Sequence, residues 1–304
     1  MHGGILHVNH IKDQIHCERA YRMGLSGKGI GVAVLDTGIF LHRDFDSRVT
    51  GFADMVNRRN FAYDDCGHGT HICGIIGGSG RMSGGRYSGI APGCNLIMVK
   101  VLDRKGNGYS SDVLAGIPWV LERKEQLGIR ILNISVGACS KRGMSENSAL
   151  VKGVNRAWDA GLVVVVAAGN NGPRTMSITT PGISRKVITV GCSDDDREVL
   201  VGGNRMVDYS GRGPTAACIC KPDLVAPGCS VVSCSSRADK YTIKSGTSMS
   251  TPIVSGAVAL LLERFPDMSN KDVKLRLRES SVDIGLPRNQ QGWGMLNVEK
   301  MIGK

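Results

Sequence analysis

Three residue types that together perform acyl transfer stand far apart in this 304-residue chain. The first is Ser248, in Lys244-Ser245-Gly246-Thr247-Ser248-Met249-Ser250-Thr251-Pro252. The apolar run Ile253 to Leu262 follows it. That run is too continuous for a solvated helix, so a buried helix is expected, with Pro252 in its first turn where a missing N–H costs nothing. Ser248 then sits where a loop enters a helix, and backbone N–H groups and the positive dipole end there favour a developing oxyanion. A bare serine is a poor nucleophile and needs a base with an orienting carboxylate. Gly31-Val32-Ala33-Val34-Leu35-Asp36-Thr37-Gly38 offers the carboxylate at the end of an apolar strand. Asp65-Cys66-Gly67-His68-Gly69-Thr70-His71-Ile72-Cys73-Gly74 offers an imidazole between glycines, where a small-residue helix begins.

The elements that must position these groups read as one α/β domain over 1–304, with residues 5 to 24 a short helical segment ahead of a turn at Ser26-Gly27-Lys28-Gly29. Gly31 to Leu35 is nearly all apolar, as a parallel strand buried on both faces should be, and Asp36 lies at its C-terminal end, where sites form in open α/β sheets. Further strands are expected over Asn95–Val101, Ile129–Gly137, Leu162–Ala168 and Lys186–Cys192. Helices are expected over His68–Gly77, from about Ser111, across Asn147–Ala160, and finally after Ser269, which Asp272 can join in a capping box. Alternating strands and helices predict three αβα layers around a largely parallel central sheet.

Five blocks carry a family resemblance: Val34-Leu35-Asp36-Thr37-Gly38, Gly67-His68-Gly69-Thr70-His71, Asn133-Ile134-Ser135-Val136-Gly137, Ala167-Ala168-Gly169-Asn170 and Ser245-Gly246-Thr247-Ser248-Met249-Ser250-Thr251-Pro252. In this order, spanning roughly 28 to 298, they resemble the subtilases, the subtilisin-like serine proteases, whose acid, histidine and serine also follow one another in that sequence. The resemblance implies a serine endopeptidase with Asp36, His68 and Ser248 as its triad. It makes Asn170 the side-chain donor of an oxyanion hole completed by the Ser248 N–H. It sets Gly106, Asn107 and Gly108 on one side of a substrate cleft and Ser135, Val136 and Gly137 on the other, with Ala168 and Gly169 as further substrate-binding positions. Thr179 would border the pocket for the residue before the cut bond and favour a moderately sized apolar side chain. A peptide held as a strand between two backbone segments gains sequence-independent hydrogen bonds, so broad specificity is expected. Partners would be protein or peptide substrates and a proteinaceous inhibitor.

Other features narrow the reading. The ten cysteines show no framework or zinc-site spacing, so free thiols in a reducing compartment are expected, among them Cys94, Cys139, Cys192, Cys218 and Cys220. The N-terminus lacks the apolar core of a signal peptide. With no long prodomain preceding the motifs, a cytoplasmic enzyme is expected, residues 1–24 serving at most as a short leader; the alternative is the mature part of a secreted precursor. The formal net charge of +11 is spread over scattered pairs such as Arg58-Arg59, Lys141-Arg142 and Arg185-Lys186, which argues for a solvated basic surface rather than specific nucleic-acid binding. No apolar stretch approaches membrane-spanning length. The glycine-rich loop Gly77 to Tyr87 offers glycine, arginine and serine without acid or amide, so the calcium site that many subtilases build there is not expected, and no metal is assigned. Asp194-Asp195-Asp196 reads as a solvated turn, His71 as a packed helix residue, and Cys66 as a half-buried thiol close to His68. The rivals are a catalytically silent binding or signalling protein of the same fold, a nucleic-acid-binding module, and a thiol protease using Cys66. All three triad residues are present, and no cysteine occupies the nucleophile loop.

Overall fold

The computed structural model describes residues 8–137 and 146–303, so Cys139 and Lys141-Arg142 lie outside the described residues. The expected N-terminal helical segment is two short helices, α1 (Val8–Gln14) and α2 (Glu18–Arg22), separated where His16 takes a left-handed backbone conformation with φ 57°. Next come β1 (Gly31–Asp36), β2 (Val49–Asp54), α3 (His68–Gly77), β3 (Asn95–Lys100), α4 (Ser110–Arg123), β4 (Ile129–Ile134), α5 (Ala149–Asp159), β5 (Val163–Ala167) and β6 (Ile188–Cys192). A small antiparallel hairpin, β7 (Val199–Val201) with β8 (Asn204–Met206), precedes β9 (Leu224–Ala226); a second joins β10 (Val231–Cys234) to β11 (Tyr241–Lys244). The chain ends with α6 (Thr247–Arg264), α7 (Asn270–Ser280), α8 (Arg288–Gln291) and α9 (Val298–Ile302).

Among the described residues, seven strands form one parallel sheet in the order β2-β3-β1-β4-β5-β6-β9. Every residue of β1, β5 and β6 is buried, which accounts for their unbroken apolar sequences. The register Leu35↔Ile134 and Ile134↔Val166 brings the C-terminal ends of β1, β4 and β5 to the same edge. Asp36, Ser135 and the Gly169-Asn170 turn therefore meet there. α6 crosses beneath that edge, buried from Met249 through Leu262.

Three expectations change. α6 begins at Thr247, so Pro252 is deep in the helix rather than in its first turn. Asn170 Oδ1 accepts the Thr247 N–H at 3.0 Å and starts the helix early; Pro252 then leaves the Ser248 carbonyl without its i+4 donor. The Ser269–Asp272 capping box forms, but α8 and α9 follow α7, which is not the last helix. The acidic triplet is solvated only at Asp196. Asp194 and Asp195 are buried because backbone amides from elsewhere need them: Asp194 Oδ1 accepts Gly228 N–H (2.7 Å) and Cys229 N–H (3.1 Å), and Asp195 Oδ2 accepts Ser210 N–H (2.7 Å).

His71 is a packed residue of α3, fully buried, with Nε2 3.1 Å from the Val231 carbonyl. Burial, with the Lys244 and His68 charges adding to it, pushes its imidazole down from 6.5 to about 3. An unfolded chain takes up that proton near pH 6.5 and the folded one does not. Stability is therefore present above about pH 6.5 and lost as pH falls toward about 3, at up to ~1.4 kcal/mol per pH unit from this group. Urea titrations between pH 7 and pH 4 should show a shallower acid loss for His71→Asn than for the wild type. Parallel losses would remove His71 as the cause.

Candidate active site

The turn after β1 fixes the carboxylate. Asp36 is fully buried, and its Oδ1 accepts the Thr37 N–H and lies 2.7 Å from His68 Nδ1. Gly38 and Gly69 let the N-terminus of α3 close on this turn: a Cβ on Gly69 would collide with the Gly38 carbonyl oxygen, and one on Gly38 with the Tyr63 carbonyl. Thr37 Oγ1 accepts the Gly69 N–H at 2.9 Å and donates to Asp64 Oδ1 at 2.9 Å. Asp64 in turn accepts N–H bonds from Cys66 (3.1 Å), Gly67 (2.8 Å) and Thr70 (2.9 Å), occupying the open donors at the start of α3. Lys100 is wholly buried and bonds the Thr37 carbonyl (2.6 Å), the Leu102 carbonyl (2.8 Å) and Asp65 Oδ1 (2.8 Å). Asp64 and Lys100 thus fix the turn and the helix start that carry Asp36 and His68, though no sequence motif marks either residue.

Ser248 is the second residue of α6, after Gly246, whose φ of 136° favours glycine. Its hydroxyl donates to the Ser135 carbonyl at 2.7 Å. That carbonyl is steadied from α6 itself: Ser255 Oγ donates to Asn133 Oδ1 (2.8 Å), and Asn133 Nδ2 donates to Ser135 Oγ (2.9 Å). Asn170 turns its Oδ1 to Thr247, accepting from both N and Oγ1 at 3.0 Å. Its Nδ2 makes no hydrogen bond among the described residues, which leaves that donor for a ligand beside the Ser248 N–H.

His68, Ser248 and Asn170 line one cavity of about 440 Å³ together with Gly106, Ser135, Val136, Gly137, Gly169 and Thr179. Asn107 and Gly108 line an adjoining cavity of about 220 Å³, closed by Val136, Gly137 and Thr180. Ala168 departs from its expected place. It is fully buried and lines neither cavity, and its carbonyl accepts Thr179 N–H (2.9 Å) and Oγ1 (3.3 Å). Ala167 lines the cleft instead. Thr179 is itself buried and packs where Cβ atoms on Gly137 and Gly169 would be, so those glycines make room for it. Leu102, Lys105, Gly202 and Lys244 also reach the cleft and were not foreseen.

A hydroxyl at a helix N-terminus and an imidazole held by a buried acid face one cavity at the C-terminal edge of a parallel α/β sheet, an arrangement suited to acyl transfer. Comparison with known proteins agrees. The family model described as the subtilase family matches residues 27–294, and the chain belongs to that family. Serine protease AprX of Bacillus subtilis (strain 168) is 42% identical over 308 residues, covering 94% of this chain and 70% of that protein. Subtilisin DY of Bacillus licheniformis is 33% identical over 287 residues, covering 94% and 95%. Among solved structures, sphericase superposes with a TM-score of 0.76 at 31% identity, covering 90% of this chain and 93% of the other. A cold-adapted subtilisin-like serine proteinase gives 0.74 at 28%, covering 90% of each. The protein is a serine endopeptidase with a subtilisin-like fold.

Cys66 lies in the same cavity as His68, and a Cβ added at Gly106 across the cleft would stand 3.9 Å from its sulfur. Burial pushes this thiol up, so labelling should accelerate with pH. A bulky mercurial on Cys66 should block peptide cleavage. Cys66→Ala should resist that block even though the exposed Cys218 and Cys220 still react. Full activity of wild-type enzyme carrying mercury on Cys66 would contradict the placement.

Proposed function

We propose that Asp36, His68 and Ser248 are the catalytic triad and that Asn170 Nδ2 with the Ser248 N–H forms the oxyanion hole. The observation that carries this is the 2.7 Å Asp36–His68 contact on the wall of the cavity that Ser248 shares. In this reaction Ser248 Oγ gives up its bond to the Ser135 carbonyl and donates to His68 Nε2, which lines the same cavity. The oxygen then bonds to the substrate carbonyl carbon as its proton passes to the imidazole. His68 returns that proton to the leaving nitrogen as the C–N bond breaks, and water repeats the sequence on the acyl-enzyme. Asp36 holds Nδ1–H and stabilises the imidazolium.

Three variants test these roles. Ser248→Ala should lose fluorophosphonate labelling and about 10⁶-fold in kcat, the size measured for subtilisin. Asp36→Asn should cost about 10⁴-fold by favouring the wrong tautomer. Asn170→Ala should cost about 10²–10³-fold in kcat with little change in KM, again the subtilisin magnitude. Labelling retained in Ser248→Ala, or an Asn170→Ala effect confined to KM, would contradict the assignments. Substrate preference follows from backbone recognition: broad, with a moderately sized apolar residue before the cut bond, beside Thr179.

We infer also that the loop after α3 keeps its shape without calcium. Donors point where a cation would need oxygen lone pairs. Met82 N–H (2.9 Å) and Tyr241 Oη–H (2.6 Å) occupy the two carboxylate oxygens of Asp44. The Arg48 guanidinium donates to the carbonyls of Gly77 (2.5 Å), Cys94 (3.2 Å) and Asp44 (2.6 Å). These residues do not fit an ion that takes six or more oxygens. Melting temperature should be the same in EGTA as in calcium buffer. A rise that scales with calcium concentration, as linkage requires of a bound ion, would contradict this.

A further inference from the structure

The substrate groove is a row of three cavities laid end to end. The first is bounded by Gly106–Gly108 and Val136, and the second by His68, Ser135 and Ser248. The third, about 560 Å³, is walled by the β7–β8 hairpin, Ile243, Lys244 and Met249. The first and second share Leu102, Gly106, Val136 and Gly137, while the second and third share His68, Asn170, Gly202, Lys244 and Ser248. The first and third share nothing. Ser248 therefore stands between two arms of the groove. His68, which hands its proton to the leaving nitrogen, lines the arm on the hairpin side and not the far one, so the hairpin arm receives the residues after the scissile bond.

That arm is apolar with one cation. Leu200 is 62% exposed and Ile243 47%, an unusual exposure for such side chains and one that a bound peptide would reduce. No acidic side chain lines this cavity or the middle one. Lys244 is half-buried, and its side chain makes no ion pair or hydrogen bond among the described residues. Lys244 lines both of the cavities that His68 lines and not the far one. Lys105, a second cation, lines the middle cavity. A partly desolvated cation with no counter-charge attracts a carboxylate more strongly than a fully solvated one does.

We propose that the hairpin arm is a subsite for acidic peptides, in which Lys244 selects an aspartate or glutamate among the first two residues after the scissile bond. This rests on Ser248 being the nucleophile. The test uses internally quenched peptides identical before the cut and carrying Glu, Gln or Lys at those two positions, with cut sites mapped by mass spectrometry. Wild-type enzyme should prefer Glu over Gln by about fivefold in kcat/KM, disfavour Lys, and lose the preference as salt rises. Lys244→Glu should invert the order and Lys244→Gln should flatten it. Any shared effect of the new charge on His68 cancels in the ratio between peptides. A wild type that labels at Ser248 with a fluorophosphonate and cleaves all three peptides alike overturns the proposal. So does an acid preference that survives in Lys244→Glu, or one that salt leaves unchanged. Absence of both labelling and cleavage overturns the Ser248 reading and this one with it.

Discussion

A carboxylate without access to water is costly unless something positive or donating meets it, and Asp36 is fully buried. Its Oδ1 takes the Thr37 N–H and the His68 ring, while Oδ2 has no hydrogen-bond partner among the described residues. The imidazole is therefore part of what makes the acid tolerable, and the acid in turn aims the imidazole. Much of the surrounding structure holds these two together. Gly38 and Gly69 allow the close approach of turn and helix, Thr37 and Asp64 pin the first turn of α3, and Lys100 binds the carbonyls on either side.

Ser248 is fixed by a separate set of contacts that meets the first only at the sheet edge. Asn170, at the end of β5, accepts from Thr247 and starts α6. Asn133 and Ser255 tie the same helix to Ser135. Because β1, β4 and β5 are parallel and in register, their ends deliver the acid, the Ser135 carbonyl and the asparagine amide to one rim without any long loop having to do so. The rim is asymmetric. On one side two glycine-containing segments border the groove; on the other the β7–β8 hairpin offers apolar side chains, and Lys244 at the end of β11 stands beside it with no ion pair among the described residues.

Much of this was legible in the residues. Apolar runs ending in Asp36 and Asn170, glycines flanking His68, and small residues ahead of Ser248 are local signals of strand ends and helix starts, and the structure places all four groups at one edge. The parallel sheet followed from strands too apolar to have a wet face. What escaped was long-range. Asp194 and Asp195 look solvated because acids in a row usually are, and their burial depends on amides from residues 210, 228 and 229 that only the fold supplies. Ala168 sits in a site motif, yet its N–H pairs with the Val190 carbonyl, its carbonyl holds Thr179, and its side chain packs with Val151, Ile178 and Ile183. Asp64 and Lys100 carry no motif of their own. The β7–β8 hairpin had a turn signal in Gly202-Gly203 after the β-prone Val199-Leu200-Val201, but nothing in the sequence said that it would wall the groove beside Lys244.

The bond between Asp36 and His68 can be observed directly. In protein labelled with ¹⁵N-histidine, the proton on His68 Nδ1 should resonate far downfield and exchange slowly with water, and Asp36→Asn should abolish that signature while leaving the other histidine resonances in place. A His68 ring proton with ordinary shift and fast exchange in the wild type, or one indifferent to Asp36→Asn, would contradict a carboxylate-held imidazole at this site.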